Sequence, residues 1–146
     1  MLSASLDTIQ FLTSEGATCS DLLGCLYNMK PIDLEVFYTL AARQKGTLDD
    51  LAAAVGRDRS TMHRCLSKLV SAGLVYKQSR TLKDGGYYHV YSTVDPLRIK
   101  DQAQLRVKAV TEGLQRLIES FPTDFKSHLA RETRAHWQNR RSVPGL

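Results

Sequence analysis

Between residues 57 and 68 the chain sets Arg57, Arg59, His63, Arg64 and Lys68 among the hydroxyls of Ser60, Thr61 and Ser67. Asp58 is the single acid in that stretch. An arginine guanidinium bonds bidentately to the edge of guanine, hydroxyls bond base edges or phosphates, and a lysine neutralises phosphate. A merely solvated helix normally interleaves glutamate with its cations. This segment does not, so its chemistry suits a polyanion. A second basic group follows, in which Lys77, Arg80 and Lys83 are opposed only by Asp84.

Enzymatic chemistry has no comparable support. His63, His89, His128 and His136 stand in no HExxH or similar ligand spacing, and no GxSxG, P-loop or GxGxxG occurs. The carboxylates fall in caps and on surfaces, without the pairing an acid–base site requires. Cys19, Cys25 and Cys65 lack metal-type spacing and read as reduced buried thiols, which argues against a disulfide framework or a zinc site. We expect no catalysis, no metal and no cofactor.

Charge distribution sharpens the reading. The net charge of +5 divides into −4 over residues 1–56, +5 over 57–89 and +4 over 90–146. An acidic front and a basic middle orient the field towards a polyanion rather than a small neutral substrate. At 146 residues and 42% hydrophobic content, the chain can bury a core without a staple and is neither disordered nor collagen-like. No run approaches the ~20 apolar residues of a membrane span, and MLSASLDTIQ lacks the basic-then-apolar order of a leader. A cytoplasmic location with no membrane partner is expected.

The elements that must position these residues follow from periodicity and caps. Two short helices are expected before residue 30, divided at Ser14-Glu15-Gly16, the second capped at Ser20 or Asp21. The apolar face of the first includes Leu6 and Ile9. Pro31 suits the first turn of a third helix that Gly46 closes. Thr47, with Asp50 three residues on, opens a helix over Leu48–Val55 that stops at Gly56. Asp58 caps the next, about 58–72, whose inward face is Met62, Cys65, Leu66, Leu69 and Val70. Small Ala52 at the crossing and Gly56 at the turn meet the requirements of a helix-turn-helix, whose second helix can enter a major groove.

Period two then replaces period 3.6. Leu74–Gln78 and Tyr87–Tyr91 read as strands around the turn Lys83-Asp84-Gly85-Gly86, with the tyrosines packing against helices. A basic hairpin, about 74–92, beside such a helix makes the wing of a winged helix, reaching the flanking backbone or minor groove. Helix returns from about Pro96 to Phe121, where Ala103, Val107, Val110, Leu114, Leu117 and Phe121 keep an a/d register. Pro122 is expected to interrupt it, a basic amphipathic stretch to continue over about 123–140 with Phe125, Leu129 and Trp137 inward, and residues 142–146 to fray.

The run GRDRSTMHRCLSKLVSAGLV followed by DGGYYHVYSTVDP resembles archaeal winged-helix regulators of the TrmB-like type, close in architecture to MarR regulators. The resemblance covers about residues 30–121. It implies a dimeric transcriptional regulator in an archaeal cytoplasm. Arg57, Arg59, Ser60, Thr61, His63 and Arg64 match its DNA-facing helix positions, and Arg80 and Lys83 its wing. Residues 96–146 follow the hairpin where full-length sugar-sensing members carry a large effector domain, so the resemblance is to the short form.

The expected fold is therefore mainly α with a small β-hairpin, an α+β winged helix-turn-helix with a C-terminal dimerisation helix. Residues 1–30 supply helices that can add to the dimer, 31–95 the DNA-binding domain, and 96–146 the dimerisation region and basic tail. The expected partners are double-stranded DNA, contacted also by Ser67, Lys68 and Lys77, and a second copy, held through Val107, Val110, Leu114, Leu117 and Phe121. Any small-molecule effector is unknown from the sequence. The competing readings are a protein-interaction winged helix within the transcription machinery and a thiol redox sensor using Cys19 or Cys25. For the stripe, the competing reading is packing onto its own domain.

Overall fold

Local chemistry sets the first boundaries. The structure, a computed structural model, describes residues 6–141. Its helices are α1 Leu6–Leu12, α2 Cys19–Leu26, α3 Pro31–Arg43, α4 Leu48–Val55, α5 Arg59–Ser71 and α6 Pro96–Arg141. Its strands are β1 Lys45–Gly46, β2 Val75–Thr81 and β3 Tyr87–Thr93. The Asp50 carboxylate accepts the Thr47 amide at 3.1 Å while Thr47 Oγ1 accepts the Asp50 amide at 3.1 Å, closing the capping box that starts α4. Asp58 caps α5 by accepting the Thr61 amide at 2.6 Å. Gly56, at φ 75°, turns the chain between the two helices in a conformation that costs a side chain strain.

The described residues divide into two units, 6–104 and 105–141. The core of the first gathers Val36 and Leu40 from α3, Leu51 from α4, and Met62, Leu66 and Leu69 from α5, none with any exposed surface. These recur at three- and four-residue steps, which is why one face of each helix can be buried whole. Val70 packs partly buried against them, as does Ala52 at the crossing. The inward face expected of α5 is the observed one. Leu74, Val75 and Tyr91 close the core from the sheet side, and Leu23, Tyr27 and Met29 from the α2 side.

Several boundaries differ from expectation. Helix α2 begins earlier, with Thr18 as its cap and Asp21 accepting the Thr18 amide at 2.8 Å. Helix α3 ends at Arg43 rather than near Gly46, and Gln44 takes a positive φ of 71°. That frees Lys45 and Gly46 to pair with Ser92 and Tyr91, adding a third strand to the hairpin in the antiparallel order β1-β3-β2. Both wing strands run longer than expected, paired from Val75↔Thr93 to Thr81↔Tyr87. The mainly α fold with a small antiparallel sheet stands, with three strands instead of two.

The second unit contains α6 from Leu105 onward, and Pro122 lies inside that helix instead of interrupting it. Proline removes one amide and crowds the carbonyl four residues back, yet its fixed φ is helical. Long helical runs on both sides carry the turn across. Ser120 Oγ adds a hydrogen bond to the Leu117 carbonyl at 3.3 Å and another to Asp124 Oδ2 at 3.0 Å beside it. Among the described residues no helix is long and apolar enough to cross a membrane. The fraying expected of 142–146 and the side chain of Leu6 in the expected apolar face lie outside the residues and side chains described.

Candidate nucleic-acid interface

The outward face of α5 is what remains once Met62, Cys65, Leu66 and Leu69 are buried. Arg59, Ser60, His63, Arg64 and Ser67 are exposed along it, and Arg57 is exposed in the turn before it. Thr61 is half-buried, because its amide serves the cap and its hydroxyl accepts Arg64 Nη2 at 3.3 Å. The Asp58 carboxyl is held below its ordinary value of 3.8, first by the hydrogen bond from the Thr61 amide. It therefore stays ionised and capping at neutral pH, and its charge is partly met by Arg64 and Arg57 nearby.

Two of the expected cations already have carboxylate partners. Arg59 pairs with Asp49 of α4, and both side chains are largely exposed. A pair of this kind contributes little, so the guanidinium can exchange it for a phosphate. Lys68 is different. Its Nζ donates to Asp33 Oδ2 at 2.8 Å, with Asp33 buried and Lys68 half-buried. Burial pushes the Asp33 carboxyl up, but hydrogen bonds from Lys68, the Lys30 amide and the Cys65 thiol outweigh it and hold it below 3.8. Burial, and then the same Asp33, pushes the Cys65 thiol up to about 11, so it stays protonated and poorly nucleophilic at neutral pH.

The wing carries its own cations. Lys77 and Arg80 are exposed on β2, Arg80 Nη2 donating to Gln78 Oε1 at 3.2 Å, and Lys83 is exposed in the turn. Gly85 and Gly86 both sit at φ 85°, and the Leu82 amide donates to the Gly86 carbonyl at 3.1 Å to close the tip. The expectation that the wing tyrosines pack against helices is met by Tyr91 alone. Tyr87 is 69% exposed and Tyr88 is also exposed, because the hairpin extends past the edge of the core. Tyr87 meets His89 edge-on at 5.5 Å, and Ser79 Oγ lies 3.4 Å from His89 Nδ1.

In the second unit the stripe is unsheathed. Leu114 is 52% exposed and Leu117 63% exposed, Val107 and Phe121 are exposed too, and Val110 is half-buried. Phe121 stacks on Phe125 at 5.9 Å, so the apolar surface continues past Pro122, and Phe125, Leu129 and Trp137 are exposed rather than inward as expected. Of the three thiols expected to be buried, Cys65 is, whereas Cys25 is half-buried and Cys19 exposed. Among the described residues, no group of three or more His, Cys, Asp or Glu could hold a metal ion.

Sequence reasoning missed two carboxylates, Asp33 and Asp49, that engage the basic helix. Asp33 carried one local signal, its place three residues after Lys30 at a helix start, and that signal concerned the cap alone.

Comparison with known proteins bears on this arrangement. Two uncharacterized proteins of Methanocaldococcus jannaschii are similar, one 35% identical over 77 residues and the other 33% identical over 84. Those alignments cover 53% and 58% of this chain, and 58% and 69% of the respective relatives. Among solved structures, a possible transcriptional regulator from Methanosarcina mazei Go1 shares the fold at a TM-score of 0.64 and 22% identity, over 71% of this chain and 88% of that one. A protein from the thermoacidophilic archaeon Sulfolobus tokodaii does so at 0.54 and 19%, over 65% of this chain and 93% of that one. Residues 23–97, from α2 through the wing to the start of α6, match the family model described as sugar-specific transcriptional regulator TrmB. Half of the chain, including every residue of the winged helix, thus places it in the TrmB family of transcriptional regulators.

Proposed function

We propose that the chain is a homodimeric regulator that binds double-stranded DNA sequence-specifically. Helix α5 enters the major groove and the β2–β3 wing lies along the flanking backbone or minor groove. The observation that carries this reading is the exposed face of α5, where Arg59, Ser60, His63, Arg64 and Ser67 follow Asp58 without another acid. Arg57 and the first-turn hydroxyls Ser60 and Thr61 stand where α5 begins, at the positive end of its dipole, suited to a backbone phosphate. Arg64, further along, is suited to a base edge. Lys77, Arg80 and Lys83 supply sequence-independent attraction from the wing.

Residues 31–95 form the DNA-binding part and 96–146 the dimerising part, with 1–30 contributing to one or both. The exposed stripe of Val107, Val110, Leu114, Leu117 and Phe121 would meet its copy in a second chain and space the two half-sites read by the α5 helices by about one helical turn of DNA or a multiple. The setting is the cytoplasm of an archaeal cell.

Selection of bound duplexes from a random library, followed by titration across a salt series, tests the reading. Enrichment of a two-fold symmetric sequence, with log affinity falling linearly against log salt, is the expected result. Retention of no duplex, or affinity indifferent to salt, overturns it and favours an assembly surface for other proteins.

A further inference from the structure

Lys68 belongs to the basic helix in sequence, but its ammonium is committed inward. It lies 2.8 Å from Asp33 Oδ2, and Asp33 is 4% exposed. The same oxygen accepts the Lys30 amide at 2.9 Å. One carboxylate oxygen therefore closes the start of α3 and binds the last turn of α5 at once. We propose that the Asp33–Lys68 pair is a latch that sets where α5 lies on α3, making Lys68 a positioning residue rather than a phosphate contact. The inference rests on the DNA-binding reading for the face that it positions.

Apolar packing alone leaves that placement loose. Met62, Leu66 and Leu69 share one buried core with Val36 and Leu40, and such ridges tolerate small shifts and rotations because dispersion is not directional. An ion pair with a buried oxygen already fixed by a backbone amide is directional. The lever arm is long enough to matter: residue 60 lies about 12 Å along the axis from residue 68, so a tilt of about 5° at the latch moves the DNA-facing turn by about 1 Å. Hydrogen bonds to base edges fail over distances of that order. With its charge engaged by Asp33, Lys68 has little left to offer a phosphate.

The full chain with Lys68→Met, with Asp33→Asn, and with both substitutions provides the test. Each is titrated with the duplex the unaltered protein selects and with an unrelated duplex of equal length, across a salt series. A latch predicts that Lys68→Met keeps the salt slope within about half a unit, whereas a lost phosphate contact lowers it by about one. Preference for the selected duplex should fall about tenfold in both single variants, and no further in the double. A slope lowered by one, losses that add in the double variant, or equal weakening on both duplexes overturns the proposal. Where a single variant fails to fold, the double variant, which leaves no unpaired charge, decides by the same two readouts. If the unaltered protein binds no duplex, the DNA reading falls separately. Urea denaturation then judges the latch: non-additive stability losses support it, and additive ones overturn it.

Discussion

Replacing Leu114 and Leu117 together by Glu should dissolve the proposed dimer and leave the winged helix intact. Full burial of a leucine contributes about 1.5–3 kcal/mol. At 52% and 63% exposed, these two have roughly half to two-thirds of that still to gain, about 0.8–1.9 kcal/mol each. A symmetric interface uses both residues from both chains, so the four side chains together contribute about 3–7 kcal/mol. The dissociation constant should therefore rise by about 10²- to 10⁵-fold. Carboxylates brought into an apolar seam add a desolvation cost in the same direction. Because both leucines are exposed, the substitutions open no cavity, and helix content and the urea midpoint of residues 31–95 should be unchanged. Sedimentation velocity over a concentration series, with circular dichroism on the same samples, reads both quantities. A variant as dimeric as the parent would place the interface elsewhere. One that unfolds would show that the stripe packs within its own chain.

Arg64→Ala should lower operator affinity by about 1–3 kcal/mol and relax one base position, while Lys83→Ala should weaken all duplexes alike and reduce the salt slope by about one. Binding titrations on operator variants at matched salt separate the two. Leu66→Ala, at a site with no exposed surface beneath α5, should cost about 2–5 kcal/mol in urea unfolding, and a loss under 1 kcal/mol would put the core elsewhere. Acid should destabilise the fold through Asp33, Asp50 and Asp58, whose folded carboxyls all lie below the ordinary 3.8. Their contribution is complete above that value and is lost as pH falls through the folded ones, so the urea midpoint should be flat above about pH 5 and drop below about pH 4. Asp33→Asn should shrink the drop.

What could be read from the residues alone was the chemistry that acts over a few positions. The Thr47–Asp50 box, the Asp58 cap, the Gly56 turn and the inward row from Met62 to Leu69 each rest on neighbours within one or two helical turns. Helical periodicity likewise tells which of Arg59, His63 and Arg64 leave the core. It does not tell what a long side chain finds there. Asp33 and Lys68 are 35 positions apart and Asp49 and Arg59 are 10 apart, so both pairs exist only after α3, α4 and α5 have packed. Strand β1 has two residues, too few for any period, and owes its conformation to Ser92 and Tyr91 across the ladder. Tyr87 and Tyr88 follow a strand pattern correctly, but how far a hairpin outruns its core is a tertiary matter. At Pro122 a rule about one residue was outweighed by the turns on either side of it.

The short strand β1 also divides the molecule into places where chain length can and cannot change. Lys45 and Gly46 are held in register against Ser92 and Tyr91, and Gly46 is buried with Leu51 Cγ 3.5 Å from where a Cβ would stand. One residue inserted between α3 and α4 would send each strand side chain to the opposite face and pull Thr47 out of its cap. At the other end of the same sheet, residues 82–86 are exposed and fastened by the Leu82–Gly86 and Leu82–Gly85 backbone bonds. Extra residues there would lengthen the hairpin without disturbing a single core contact. The length of the wing is thus a freely adjustable dimension of this scaffold, while the angle between its helices is set by a connection that cannot grow.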